Sequence, residues 1–160
     1  MTCSILAAGQ EAPKFTLPSS TGKAISLGDF SSKKSVVLYF YPRADTPGCT
    51  TEACAFRDAL AQYDQAHLAV LGISPDPVAD VVKFAQKFHL NFPLLADSDH
   101  AVAQQYGVWQ EKQMAGKKYM GVVRTTFVIS NDGRIAHVFE KVKPEGHDRQ
   151  VLQWIKEQEN

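Results

Sequence analysis

The apolar run Ser35-Val36-Val37-Leu38-Tyr39-Phe40-Tyr41 passes through a short loop, Pro42-Arg43-Ala44-Asp45, into a helix start at Thr46-Pro47-Gly48-Cys49. The first stretch, rich in β-branched and aromatic residues, has the length and character of a strand and is the most hydrophobic in the chain. From Cys49 the period changes, and Cys49, Ala53, Phe56, Leu60 and Tyr63 fall on one face of a helix over residues 49–63. A second apolar run follows at Leu68–Ser74. Strand, helix and strand in close succession are the repeating unit of an α/β fold.

The alternation continues. Val78, Val81, Val82, Ala85 and Phe88 share a helical face over 78–88, a short strand fits Pro93–Ala96, and a helix fits His100–Tyr106 with Asp97 or Ser98 as its cap. Strands at Thr125–Ser130 and Arg134–Phe139 flank the turn Asn131-Asp132-Gly133 as a hairpin, and a last helix fits Gln150–Gln158. Phe15–Leu17 and Ala24–Leu27 read as an added N-terminal hairpin. The expected fold is an α/β sandwich with a mixed central sheet flanked by helices. No repeat, low-complexity tract or Pro/Gly/Ser-rich linker divides the chain, so residues 1–160 are expected to form one domain; at 44% hydrophobic content that length fills one core.

Lys plus Arg and Asp plus Glu number 17 each, and this balance gives no reason to expect nucleic acid or an acidic membrane as a partner. The apolar runs are strand-length, too short to span a bilayer, and residues 1–15 carry no positive n-region with a long apolar core. The expected location is the cytoplasm. There the three cysteines, Cys3, Cys49 and Cys54, are either small buried hydrophobes or chemically active, since a secreted disulfide scaffold would carry more of them, in pairs.

Chemistry concentrates at the start of the long helix. Thr46 suits the N-cap, and Pro47 suits the first helical position, where a missing N–H costs nothing. Cys49 then sits in the first turn, where free backbone N–H groups and the positive helix end favour a thiolate, the nucleophilic form. Cys54 lies about 140° further around the axis, with the two Cα atoms roughly 8–9 Å apart in an intact helix. A disulfide needs Cα atoms closer than about 7 Å. A bond between them therefore requires the first turns to unwind. No CxxC occurs and no histidine stands at ligand spacing from Cys49, so neither a metal nor another cofactor is expected. Asp97, Asp99 and His100 have the spacing of a helix start and suit capping better than metal binding.

Pro42, Thr46 and Cys49 match in full the Pro-x-x-x-Thr-x-x-Cys pattern of the peroxiredoxins, and Cys54, five residues on, matches the bacterioferritin-comigratory or PrxQ group. The resemblance extends over nearly the whole chain, through Gly9–Leu17, Leu71-Gly72-Ile73-Ser74, Leu94–His100, Gly107-Val108-Trp109 and the region of Arg124. It implies a thioredoxin-like fold and a two-cysteine cycle. Cys49 would attack a hydroperoxide to give a sulfenic acid, Cys54 would condense with it, and a thioredoxin-like dithiol would reduce the disulfide. The resemblance also implies a lean toward a monomer. In this scheme the Thr46 hydroxyl holds the peroxide, Arg124 supplies fixed positive charge, and Pro42 forms a rigid apolar wall; Glu52, one turn beyond Cys49, orients the arginine.

Each residue also has a plainer reading. The cysteines can be buried hydrophobes, Thr46 a simple cap, Glu52 a solvated first-turn acid and Arg124 an exposed strand-end charge. Arg43 is read as a surface residue, Cys3 as an incidental free thiol, and Tyr106, Trp109 and Tyr119 as packing residues. Two further functions stay open on the residues alone: a disulfide reductase or isomerase on the same fold, and a non-enzymatic binding or holdase module in which Cys49 only packs.

Overall fold

Along the strand Ser35–Phe40 every residue but the first is buried, and its alternate side chains supply two separate cores. Val37 and Tyr39 point into one, and Val36, Leu38 and Phe40 into the other. This is the alternation that the pleat imposes on a strand covered on both faces. The computed structural model describes residues 4–158; Cys3 lies outside them. The elements in chain order are β1 (Thr16–Pro18), β2 (Ala24–Ser26), a 3-10 turn (Leu27–Phe30), β3 (Ser35–Phe40), α1 (Pro47–Gln65), β4 (Leu68–Ser74), α2 (Val78–Lys87) and β5 (Leu94–Ala96). They continue with α3 (Ala101–Gln105), β6 (Trp109–Met114), β7 (Lys117–Val122), β8 (Thr125–Ile129), β9 (Ile135–Phe139) and α4 (His147–Gln158).

The central sheet has the order β5-β4-β3-β8-β9. β4 runs parallel to β3 and to β5, while β8 runs antiparallel to β3 and to β9, so the sheet is mixed, as expected. One core packs α1, α2 and α4 on the sheet through Phe56, Tyr63, Val81, Phe84, Val151 and Ile155. The other packs α3 and the N-terminal segment on the opposite face through Ala12, Phe15, Val102 and Tyr106. β1 and β2 form the expected antiparallel hairpin.

Two features depart from the sequence expectation. Residues 109–122, to which the sequence assigned no element and only packing for Trp109 and Tyr119, form a second antiparallel hairpin, β6–β7, turning at Ala115 (φ 51°) and Gly116 (φ 80°). α4 begins at His147, one turn before the expected Gln150. The carboxylate of Asp97 accepts from the N–H groups of Val102 (3.1 Å) and Ala103 (2.8 Å), which is the capping role expected of it. Tyr106 is fully buried and donates to the Pro13 carbonyl at 2.7 Å, and Trp109 stacks on His100 with ring centroids 3.9 Å apart.

Gly72 on β4 is closely covered by side chains of its two neighbouring strands. It pairs with Tyr39 on β3 and Leu94 on β5. A Cβ there would lie 2.8 Å from Tyr39 Cζ and 3.0 Å from Leu94 Cδ2, both on side chains that are fully buried and cannot swing away. Gly72→Ala is therefore expected to lower stability by about 1–3 kcal/mol. The change should read as a lower denaturant midpoint at unchanged m-value; a midpoint equal to that of the wild type would show that the ring can move.

Candidate active site

The sheet delivers β3 to the start of α1 through the loop 41–46. That loop is pinned from β4: Asp76 Oδ2 accepts both the Ala44 N–H (2.7 Å) and the Ser74 hydroxyl (2.7 Å). Asp45, held at φ 59°, is joined to Lys87 of α2 at 2.9 Å. Pro42 is half-buried at the head of this loop. Thr46 has the extended backbone of an N-cap (φ −98°, ψ 157°), its carbonyl accepts the Thr50 N–H at 2.8 Å, and Pro47 opens the helix. The Thr46 hydroxyl departs from the expectation. It donates to the Arg43 carbonyl at 2.9 Å instead of capping a helix N–H, and its oxygen lone pairs stay available as acceptors.

Cys49 follows in the first turn, 1% exposed. Its Sγ accepts from Arg124 Nη2 at 3.3 Å, and Arg124 Nη1 donates to Glu52 Oε1 at 2.7 Å. Arg124 lies in the two-residue link between β7 and β8, and its carbonyl accepts the Val142 N–H at 3.2 Å, which fixes its backbone. Its side chain is 16% exposed and that of Glu52 1%. Neither is the solvated charge that the plainer readings allowed. Gly48 makes the close approach possible, since a Cβ on it would stand 3.3 Å from Arg124 Nη2 and 3.2 Å from Pro144 Cγ.

Burial pushes the Glu52 carboxyl up, to about 7, against the opposing pull of Arg124; its second oxygen is buried without a hydrogen-bond partner among the described residues. The burial of Glu52 was readable in principle, because position 52 falls beside 49, 53 and 56 on the apolar stripe. Under this face lie Tyr39 and Tyr41, whose phenols are pushed well above their usual range by burial.

The structure thus brings together Cys49, Glu52 and Arg124, with Thr46 at the same helix start. Cys54 is half-buried and unbonded on the same unbroken helix, so it is not in bonding position. The sequence reading passed over Asp76, which holds the loop, and His147. The latter is 1% exposed, with Nε2 2.7 Å from Thr126 Oγ1 and Nδ1 2.9 Å from Gln150 Oε1; burial pushes its imidazole down. Its partners are scattered along the chain, and only the Gln150 contact at i+3 is a local signal.

Comparison with known proteins agrees with this arrangement. The AhpC/TSA family profile matches residues 8–138. Peroxiredoxin Bcp of Escherichia coli K12 is 48% identical over 152 residues, covering 95% of this chain and 97% of its own length. A bcp peroxiredoxin of Coxiella burnetii is 52% identical over 144 residues, covering 90% and 95%. Among solved structures, PrxQ from Xylella fastidiosa superposes with a TM-score of 0.90 at 32% identity, over 98% of each chain. Peroxidoxin BcpB from Mycobacterium tuberculosis does so with 0.84 at 38% identity, over 95% of this chain and 97% of its own. These matches establish the thioredoxin-like fold expected from the sequence, and the chain belongs to the AhpC/TSA family, as a peroxiredoxin of the Bcp/PrxQ group.

Proposed function

We propose that Cys49 is the peroxidatic residue of this peroxiredoxin and Cys54 its resolving partner. The observation that carries the reading is the contact between Arg124 Nη2 and Cys49 Sγ, 3.3 Å, at the positive end of α1. A cysteine that merely packed would not need a buried guanidinium aimed at its sulfur. In the first step the Cys49 thiolate attacks the terminal oxygen of a hydroperoxide; the O–O bond breaks, the sulfur becomes a sulfenic acid, and the alkoxide or hydroxide leaves with a proton from solvent. Arg124 stabilises the anion on sulfur before attack and the charge developing on the leaving oxygen. The Thr46 hydroxyl, its proton engaged by Arg43, accepts the O–H of the incoming peroxide. Pro42 closes the loop side with a residue that carries no N–H.

In the second step Cys54 Sγ displaces water from the Cys49 sulfenic acid to form the disulfide, and an external dithiol then reduces that bond by exchange. We assign the dithiol to a thioredoxin-like protein and the substrates to hydrogen peroxide and organic hydroperoxides. The enzyme is taken to act as a monomeric single domain in the cytoplasm. Among the described residues no helix is long and apolar enough to cross a membrane.

Glu52 positions Arg124, and it can do so in either protonation state, because a neutral carboxyl still presents an oxygen to Nη1. Its elevated value makes folding sensitive to pH. A carboxyl that titrates near 7 in the folded protein and near 4.5 when unfolded binds its proton more tightly in the native state, so it removes stability as pH rises through that interval.

After one equivalent of peroxide, intact mass of the wild type is expected to show loss of two hydrogens, with a Cys49–Cys54 bond on peptide mapping. Cys54→Ser is expected to gain one oxygen at Cys49 and to stop there, whereas a variant without any adduct at Cys49 would refute the assignment. Cys49→Ser should lose peroxidase turnover by at least about a thousandfold, the scale of losing an activated nucleophile. In thermal unfolding, the stability of wild type relative to Glu52→Gln should fall as pH rises from about 4.5 to about 7 and level off above it. A wild type that instead gains on the variant across this interval would mean that the ion pair outweighs the burial cost.

A further inference from the structure

Bonding Cys49 to Cys54 requires the first turns of α1 to open; before residue 55 the helix buries only the small Cys49 and Ala53 and the ion-paired Glu52, and its hydrogen bonds and aromatic packing change beyond it. Over residues 47–54, the side-chain hydrogen bonds to other elements among the described residues are the two from Arg124. Thr51 bonds back to Pro47 inside the helix. From Phe56 onward α1 is held from several directions. Phe56 stacks on Tyr39 with centroids 4.8 Å apart and meets His147 edge-on at 5.9 Å, and the Tyr63 hydroxyl donates to the Asp148 carbonyl at 2.9 Å.

Arg57 marks the boundary and is tied twice to the segment after α2. Its Nη1 donates to the Phe88 carbonyl at 2.7 Å, and its own carbonyl accepts from Asn91 Nδ2 at 3.2 Å. Phe88 is the C-cap of α2, so the guanidinium also satisfies a helix-end carbonyl. Arg57 stands three residues after Cys54, on the neighbouring turn of the same helix. Once the turns before it open, Asp58, bonded to Arg57 Nε at 2.9 Å, falls in the first turn of the shortened helix, where a carboxylate is favourable.

We propose that Arg57, with Asn91, fixes the point at which α1 stops unwinding, and so acts as a positioning residue for the resolving step by holding Cys54 at the edge of the opened segment. The proposal rests on Cys54 as the resolving thiol. Reach is not the difficulty, since a five-residue link can span up to about 17 Å. What matters is how many conformations the opened stretch explores: each further residue set free dilutes the arrangement in which the two sulfurs meet.

The test separates the two chemical steps by rapid mixing with hydrogen peroxide, with hydrogen exchange on the oxidised protein. For Arg57→Ala, sulfenate formation is expected to stay within about twofold of wild type, while disulfide closure slows about fivefold or more and more Cys49 proceeds to sulfinic acid at high peroxide. Arg57→Lys, which can still reach the Phe88 carbonyl, should recover part of the loss. Asn91→Ala, which removes only the second tie, should slow closure less. In the oxidised wild type, exchange protection should be lost through residue 59, whose N–H partners lie in the opened turns, and kept from 60 to 65, and in Arg57→Ala the loss should run past 60. Disulfide closure at or above the wild-type rate in both Arg57→Ala and Asn91→Ala would overturn the proposal, as would an oxidised wild type unprotected throughout α1. Absence of a Cys49–Cys54 bond in the oxidised wild type would instead remove the assignment of Cys54, and the proposal with it.

Discussion

One guanidinium joins the two halves of the site. Arg124 comes from the link between β7 and β8, and its two terminal nitrogens reach Glu52 and Cys49, one turn apart on α1. The planar fork suits this task, since a single ammonium could not aim fixed donors at two acceptors held on one rigid face. Glu52 takes one branch and turns the other toward the sulfur. Gly48 leaves room for the approach and Pro144 closes over it. The cation therefore does electrostatic work at Cys49 and structural work between sheet and helix, and both would be lost together.

The position of the site follows from the sheet. In open α/β sheets the carboxyl ends of the strands are where connecting loops can converge on a ligand. β3 and β4 are parallel, so both end on the same side. The loop after β3 carries Pro42 and Thr46, and the loop after β4 carries Asp76, whose carboxylate ties the two loops together. Asp45 takes a left-handed conformation at this junction, next to the pinned backbone of Ala44, and its carboxylate meets Lys87 at the surface. A helix start defined in this way presents its free N–H groups to a fixed point in space.

Much of this was legible because local and global signals coincide. A proline at the first helical position, a threonine before it and a cysteine two residues after it describe a helix start by local chemistry alone, and the apolar stripe through Ala53, Phe56 and Tyr63 shows which side faces the sheet. The β6–β7 hairpin was not legible for an equally local reason. Its strands read Trp-Gln-Glu-Lys-Gln-Met and Lys-Lys-Tyr-Met-Gly-Val, mostly exposed and without alternation. Its turn puts Ala115 rather than asparagine or aspartate at a positive φ, so the usual hairpin signature is missing. His147 shows no pattern with the other histidines in the sequence, because its burial depends on Thr126 and Phe139, contacts that only the folded sheet creates. The Thr46 hydroxyl could not be read either, since whether it caps the helix or turns back to Arg43 depends on the loop geometry that Asp76 imposes.

The same contacts explain how a helix that opens on the proposed mechanism can nonetheless be well ordered before reaction. Proteins open locally where few buried contacts resist, and in the first two turns of α1 the buried side chains are only the small Cys49 and Ala53 and the ion-paired Glu52, with Arg124 supplying the side-chain hydrogen bonds from outside the helix. Its hold is strongest when the partner sulfur carries negative charge, because a charge-assisted hydrogen bond is roughly twice as strong as a neutral one. On the proposed mechanism, attack on a peroxide replaces that anion with a neutral sulfenic acid, so the chemistry itself would weaken the bond that kept the turns closed. Beyond residue 55 the helix keeps Phe56 on Tyr39 and Tyr63 on Asp148, neither of which the reaction touches. On the proposed reading, order in the reduced state and opening in the oxidised state need no separate trigger, because both follow from the charge on one sulfur.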